Sequence, residues 1–239
     1  MSAAGPGPPV PLTADELEAL RRIDACTLAN AIETFHLRLR NEGFVDHSVR
    51  SLFPELPPMV GYAATVRIRG SDPPAAGAQF PDRSDWWDYI TRLPAPRVVV
   101  VQDCSSHPGL CSLVGEVHMS VLRGLGCVGV VTNGSVRDLP PVRRAGFHYF
   151  AGSVTVSHGY VHIVDYGVPV EIGGLTITSG DLLHGDLHGV QSVPLAIAAR
   201  IPAAAAEILA REQAVIELCR SADFTLAKLR ALIERQQQS

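Results

Sequence analysis

GEVHMSVLRGLGCVGVVTNGSVRD, residues Gly115–Asp138, decides the fold. A Gly-led helix start opens an apolar helix with Val117, Val121 and Leu122 on one face, and the apolar run Cys127–Thr132 that follows reads as a buried strand. Asn133-Gly134-Ser135 is a cluster of turn formers, expected to end the strand and to leave Arg137 and Asp138 at its carboxyl end, where open α/β sheets bind ligands. Beyond it, Leu139–Ala145 reads as a short helix closed by Gly146 as its C′ residue, and Phe147–Phe150 as the next strand. The unit is βαβ-like, and it sets an acid, Glu116, a fixed distance ahead of the pair Arg137-Asp138. That constellation suggests a metal-dependent active site.

Working outward, the Pro- and Gly-rich first eleven residues cannot support a helix, and residues 1–12 are expected to form a flexible arm or to wrap a neighbouring subunit. Residues 13–239 then form one domain. Thr13 opens a capping box with Glu16, and Leu17, Leu20, Ile23, Leu28, Ala31 and Ile32 recur at helical spacing up to about Phe35. Arg40–Pro58 reads as loop, Val60–Arg69 as a half-buried strand, and Arg97–Gln102 as a fully buried one. Between those strands lies a polar, Pro-rich insertion. Its Asp85-Trp86-Trp87-Asp88-Tyr89 suits a lid or an interface anchor, with ordinary packing as the alternative. Past Val161 the pattern is β-rich: Val168–Ile172 and Leu175–Thr178 bracket Gly173-Gly174 as a tight hairpin, and Gly189–Val193 is a last strand stopped by Pro194. The remainder, 194–239, reads as a helical extension: an Ala-rich helix interrupted near its start by Pro202, burying Ile208, Val215, Ile216 and Leu218.

A chain of 239 residues, 46% of them hydrophobic, can bury one full core. A net charge of −4 with no Lys/Arg-rich run argues against a nucleic-acid partner. No apolar segment reaches the length of a membrane span and the first residues lack a signal-peptide pattern, so a cytoplasmic location without membrane association is expected. Five cysteines without CxxC spacing read as reduced thiols.

Two stretches, VGEVHMSVLRGLGCVGVVTNGSVRDLPPVRRAGFHYF and PVEIGGLTITSGDLLHGDLHGV, closely resemble the RraA-like family, which includes 4-hydroxy-4-methyl-2-oxoglutarate aldolases; the similarity runs from about Thr27 to Pro194. The resemblance implies an α/β fold of layered β/β/α, swivelling-domain-like form with N- and C-terminal helices, assembled as a homotrimer or hexamer with active sites between subunits. Family members with aldolase activity share an acid, twenty intervening residues, Arg-Asp, two residues and a further acid. Here Glu116 and Arg137-Asp138 fit, whereas Pro141 occupies the final acidic position.

What the resemblance implies chemically is a divalent-metal-dependent lyase that cleaves a short 4-hydroxy-2-oxo acid to pyruvate, or decarboxylates oxaloacetate, through the same pyruvate enolate. Mg²⁺ or Mn²⁺ would be held directly by Asp138 and through water by Glu116, with Arg137 on the keto acid. Backbone N–H groups over Gly115, Glu116, Val117 and His118 would receive the substrate carboxylate at a helix start. Two other readings stay open: a non-catalytic regulator that binds a ribonuclease, and an enzyme of the same fold acting on another hydroxy or sugar acid. Substrate choice would depend on pocket walls contributed by loops such as Asp82–Arg92 and by another subunit. The clusters His158, His162, Asp165 and His184, Asp186, His188 have a transition-metal look, but Gly185 and Gly189 suggest turns, and these residues suit a pocket wall contributed by a neighbouring subunit or the pairing of buried polar groups. Cys127 reads as inert packing, Cys104 and Cys111 lack an activating base, and Gly124, Gly126 and Gly129 precede their strand as no dinucleotide loop does.

Overall fold

The run Val98–Val101 settles the layering, because four consecutive valines can all be buried only in a strand covered on both faces. The computed structural model describes residues 11–238, and places this run in β3 (Arg97–Asp103). Val99 and Val101 enter one core with Ala64, Val66, Val130 and the helix residues Trp86, Ile90, Met119 and Leu122. Val98 and Val100 enter another with Ala63, Val131, Val170, Ile172 and Ile177.

Parallel strands β2 (Met59–Arg69), β3, β4 (Cys127–Val136) and β5 (His148–Val154) lie side by side in that order. α3 (Arg83–Thr91), α4 (Glu116–Gly124) and α5 (Leu139–Arg144) supply the crossovers that parallel neighbours require. The far edge of β2 is used twice: Met59–Tyr62 runs antiparallel to β9 (Leu182–Asp186), and Val66–Arg69 antiparallel to β6 (His162–Tyr166). β10 (Gly189–Val193) returns beside β9, and the short β1 (Arg50–Ser51) edges β5. A second sheet, the hairpin β7 (Val170–Ile172) and β8 (Leu175–Ile177), covers the Val98/Val100 face. It turns on Gly173 and Gly174, both at positive φ (+50° and +75°), the hairpin chemistry the dipeptide announces. The layers are therefore helix, main sheet and small sheet.

A third core gathers α1 (Ala14–Arg21), α2 (Ala25–Glu33) and α6 (Ile201–Arg220) on Tyr62, Leu182 and Val193. Thr13 and Glu16 form both bonds of the capping box. Asp186, buried in β9, accepts the Ala25 N–H at 2.8 Å and so fixes the start of α2.

Several expectations need correction. β2 is buried from Met59 to Val66 on both faces, not half-buried, because helices cover one side and the second sheet the other. In α4 the buried residues are His118, Met119 and Leu122, while Val117 is 82% exposed. Of the face expected in the C-terminal helix, only Ile208 is buried. That helix stops at Ser221, where Thr225 caps a second helix, α7 (Leu226–Gln238), lying against α6. Gly185 lies within β9, with the turn to β10 falling after Asp186. Residues 1–10 of the expected arm lie outside the described residues; at its end the Leu12 N–H donates to the Tyr62 hydroxyl at 2.7 Å. Among the described residues no helix is long and apolar enough to cross a membrane.

Burial, helped by the Arg21 charge, pushes the His148 imidazole down to about 4, and burial also lowers His118 and His184. Unfolding restores a value near ~6.5, so the unfolded chain takes up protons first. This stabilisation is complete above about pH 6.5 and is lost as pH falls through about 4. Denaturant unfolding across that window should show a decline of about 3 kcal/mol due to His148, and His148→Phe should flatten the curve by that amount; an unchanged slope would contradict the assignment.

Candidate active site at the end of β4

The site is assembled by the way β3 and β4 end. Asp103, 2% exposed, accepts the N–H groups of Ser105 (3.0 Å) and Gly109 (2.9 Å), curling the following loop back on the sheet. Asn133 clasps the same residue, its Oδ1 accepting the Asp103 N–H at 2.7 Å and its Nδ2 donating to the Asp103 carbonyl at 3.1 Å. Asn133-Gly134-Ser135 is thus strand and not the expected turn. These residues make an irregularity instead: the β4–β5 register slips between Thr132 and Ser135, and the Gly134 N–H donates to Thr132 Oγ1 at 2.9 Å. Ser135 Oγ then donates to the Cys111 carbonyl at 2.7 Å, Ser112 bridges Ser135 in parallel, and the Arg137 N–H donates to the Val114 carbonyl at 3.3 Å. Residues 111–114 run along the end of β4 and deliver Gly115 to Arg137 and Asp138.

There the fit is close. Asp138 Oδ2 accepts the Glu116 N–H at 2.8 Å and lies 3.6 Å from Arg137 Nε. Asp138 is left-handed (φ 57°, ψ 44°), a backbone state that Asp tolerates better than most residues, and it stands at the N-cap of α5. The first turn of α5 takes Pro140 and Pro141 because its N–H groups have no intrahelical acceptor. A Cβ at Gly115 would strike Asp138 Oδ2 and come within 2.8 Å of Arg137 Nε, so the position admits only glycine without displacing the pair.

Gly115 and Arg137 line a cavity of about 670 Å³ with Val117, His118 and Val121 of α4. Trp87 of α3 forms another part of the wall and donates from Nε1 to His118 Nε2 at 3.2 Å. His118 Nδ1 must then carry the proton and donate to the Leu113 carbonyl, 2.8 Å away, in the neutral state that burial favours. The imidazole is a strut between two helices, so His118 offers the cavity its backbone N–H. The Glu116 N–H is committed to Asp138, which leaves Gly115, Val117 and His118 as the orphan donors at the start of α4. The Glu116 side chain is exposed in the first turn, where the helix dipole favours it; neither Glu116 nor Asp138 is part of the cavity lining, and Asp138 is held beside the lining residue Gly115 by its bond from the Glu116 N–H.

Arg83 and Trp87 line the cavity from Asp82–Arg92, a segment expected to supply pocket wall, whereas sequence reasoning missed Tyr160. The aromatic cluster in the insertion was a signal for Trp87, while Trp86 is core, fully buried. His158 and His162 line the cavity from within the same chain, where the expectation placed them on a neighbouring subunit or on buried polar groups. Asp165 is not with them but pairs with Arg67. His184 bonds the Ile23 carbonyl at 2.9 Å, and His188 leans on Asp186 at 3.1 Å. Among the described residues no group of three or more His, Cys, Asp or Glu could hold a metal ion. The Asp138 carboxylate suits a hard cation that keeps most of its water, as Mg²⁺ does, and not zinc. Burial pushes the thiols of Cys111 and Cys127 up to about 11 and 12, so both are inert.

The sequence and the fold have known relatives. The chain matches the RraA-like (Aldolase/RraA) family over residues 25–191. A Halalkalibacterium halodurans protein, provisionally named a 4-hydroxy-4-methyl-2-oxoglutarate aldolase, is 28% identical over 139 residues, which span 57% of this chain and 60% of that one. An uncharacterized protein from Pseudomonas syringae pv. tomato shares the fold with a TM-score of 0.71 at 24% identity, over 96% of this chain and 99% of its own. Streptomyces coelicolor RraAS2, described as an unusual member of the RNase ES inhibitor RraA family, does so with a TM-score of 0.64 at 23% identity, over 84% and 96%. The family model's match over residues 25–191, most of the chain, places this chain in the RraA-like family.

Proposed function

We propose that this protein is a divalent-metal-dependent lyase that cleaves a short 4-hydroxy-2-oxo acid to pyruvate and decarboxylates oxaloacetate. The observation that carries the reading is the Gly115 contact, which packs a carboxylate and a guanidinium against an open helix start beside a cavity. Retro-aldol cleavage breaks the C3–C4 bond, and the released electron pair becomes the enolate of pyruvate as the C4 hydroxyl loses its proton. Loss of CO₂ from oxaloacetate leaves the same enolate, so one site serves both. Arg137, a permanent cation at the cavity wall, holds the keto acid and steadies the enolate oxygen. The Val117 and His118 N–H groups receive the C1 carboxylate. Asp138, directly, and Glu116, through water, would hold Mg²⁺ or Mn²⁺, which would supply positive charge to the developing enolate. The working form is a homotrimer or hexamer in the cytoplasm.

A second reading, a non-catalytic protein regulator, is favoured by Pro141, which leaves no carboxylate at the final acidic position of the aldolase pattern. Pyruvate release coupled to lactate dehydrogenase separates the two. With Mg²⁺ or Mn²⁺, oxaloacetate and 4-hydroxy-4-methyl-2-oxoglutarate should both yield pyruvate, and chelator should stop it; no release from a folded, metal-loaded protein would favour the regulator. Asp138→Ala should lower the rate about 100-fold or more. Gly115→Ala, which adds one methyl group and removes no functional side chain, should cost about 10²-fold by shifting Arg137 and Asp138; a near wild-type rate in that variant would show that their placement is not what the reaction needs.

A further inference from the structure

We propose that Arg83 selects substrates bearing a second anionic group, receiving that group in the cavity where Arg137 takes the keto-acid end; the proposal rests on reading this cavity as the keto-acid site. Arg83 opens α3 one helical turn before Trp87, and both line the cavity. The Trp87–His118 hydrogen bond locks α3 to α4, so Arg83 is placed relative to the helix start at Gly115 by a fixed contact. Its charge reaches His118, where it adds to burial in keeping the imidazole neutral.

The guanidinium is unspent. Among the described residues Arg83 makes no ion pair or hydrogen bond; the adjacent Asp82 feels its charge but is bonded to the Ser84 N–H and hydroxyl, each at 2.7 Å. The cavity lining holds two guanidiniums, those of Arg83 and Arg137, and no carboxylate. A monoanion would answer only one of them. Val117, Val121 and Trp87 add apolar wall, and about 670 Å³ exceeds the need of a three-carbon acid. The matching ligand is a dicarboxylic 2-oxo acid with an uncharged middle, its distal carboxylate on Arg83 as a charge-assisted pair.

Calorimetric titration with 2-oxoglutarate and 2-oxopentanoate in the presence of Mg²⁺ tests this. The two have equal chain length, and the second carries a methyl group where the first carries the distal carboxylate. The wild-type protein should bind 2-oxoglutarate about tenfold or more tightly than 2-oxopentanoate. Arg83→Gln should abolish that preference while leaving 2-oxopentanoate binding unchanged, and Arg83→Lys should restore part of it. A preference retained in Arg83→Gln, a wild-type protein that does not discriminate, or one that binds neither acid would overturn the assignment. Neither ligand has a C4 hydroxyl to support retro-aldol cleavage, so the result stands apart from the lyase reading: no pyruvate release together with an Arg83-dependent preference would reject the reaction and keep the residue.

Discussion

The contact between Gly115 and Asp138 is the constraint on which the site depends. A side chain at position 115 cannot coexist with the present places of Asp138 Oδ2 and Arg137 Nε, and the backbone there can come so near only because residues 111–114 lie along the end of β4. Two short helices start at this point. The Asp138 carboxylate takes the first N–H of α4 while its own backbone caps α5, so one residue joins both helix starts to the strand end. Its left-handed conformation is a local cost borne by those bonds.

The support beneath is polar and largely buried. Asp103 holds the loop after β3, Asn133 holds Asp103, and Ser135 holds Cys111, so the ends of the two central strands are joined by side chains where their ladder stops. A half-satisfied arrangement in such a place would be worse than an apolar one, and here each named group has its partner. Rigidity at the strand ends lets a guanidinium and a carboxylate stand beside an open cavity in fixed positions, which is what a reaction passing through an enolate demands. α3 adds the outer wall. Its Trp86 is anchored in the core, and Trp87 reaches His118, so one helix couples packing energy to pocket shape.

The elements whose side chains serve packing alone were legible from the residues. Val98–Val101, Gly173-Gly174, the Thr13 capping box and Gly146 after α5 each follow from a local rule, and tertiary structure agrees with all four. The elements misread are those where long-range bonds overrule local preference. Asn133-Gly134-Ser135 has turn chemistry, yet Asp103 and Cys111, distant in sequence, hold it in the sheet. Val117 fits the apolar face of a helix by spacing, yet it faces the cavity, because the helix starts where Gly115 is pinned. Arg137 and Asp138 were singled out by the spacing of the family pattern, which spans one helix and one strand, and the fold brings them beside Gly115. Tyr160 was not, and His158 was assigned to the wrong side of a subunit boundary, since the sequence says nothing of which loops meet over a strand end.

Mn²⁺ binding followed by electron paramagnetic resonance is the most direct measurement of the central claim, that Asp138 at the end of β4 is a metal anchor. Titration of the wild-type protein should remove free Mn²⁺ signal with one site per chain, and Asp138→Asn, which keeps an oxygen to accept the Glu116 N–H, should lose that site while remaining folded. Undiminished Mn²⁺ binding in Asp138→Asn would contradict it.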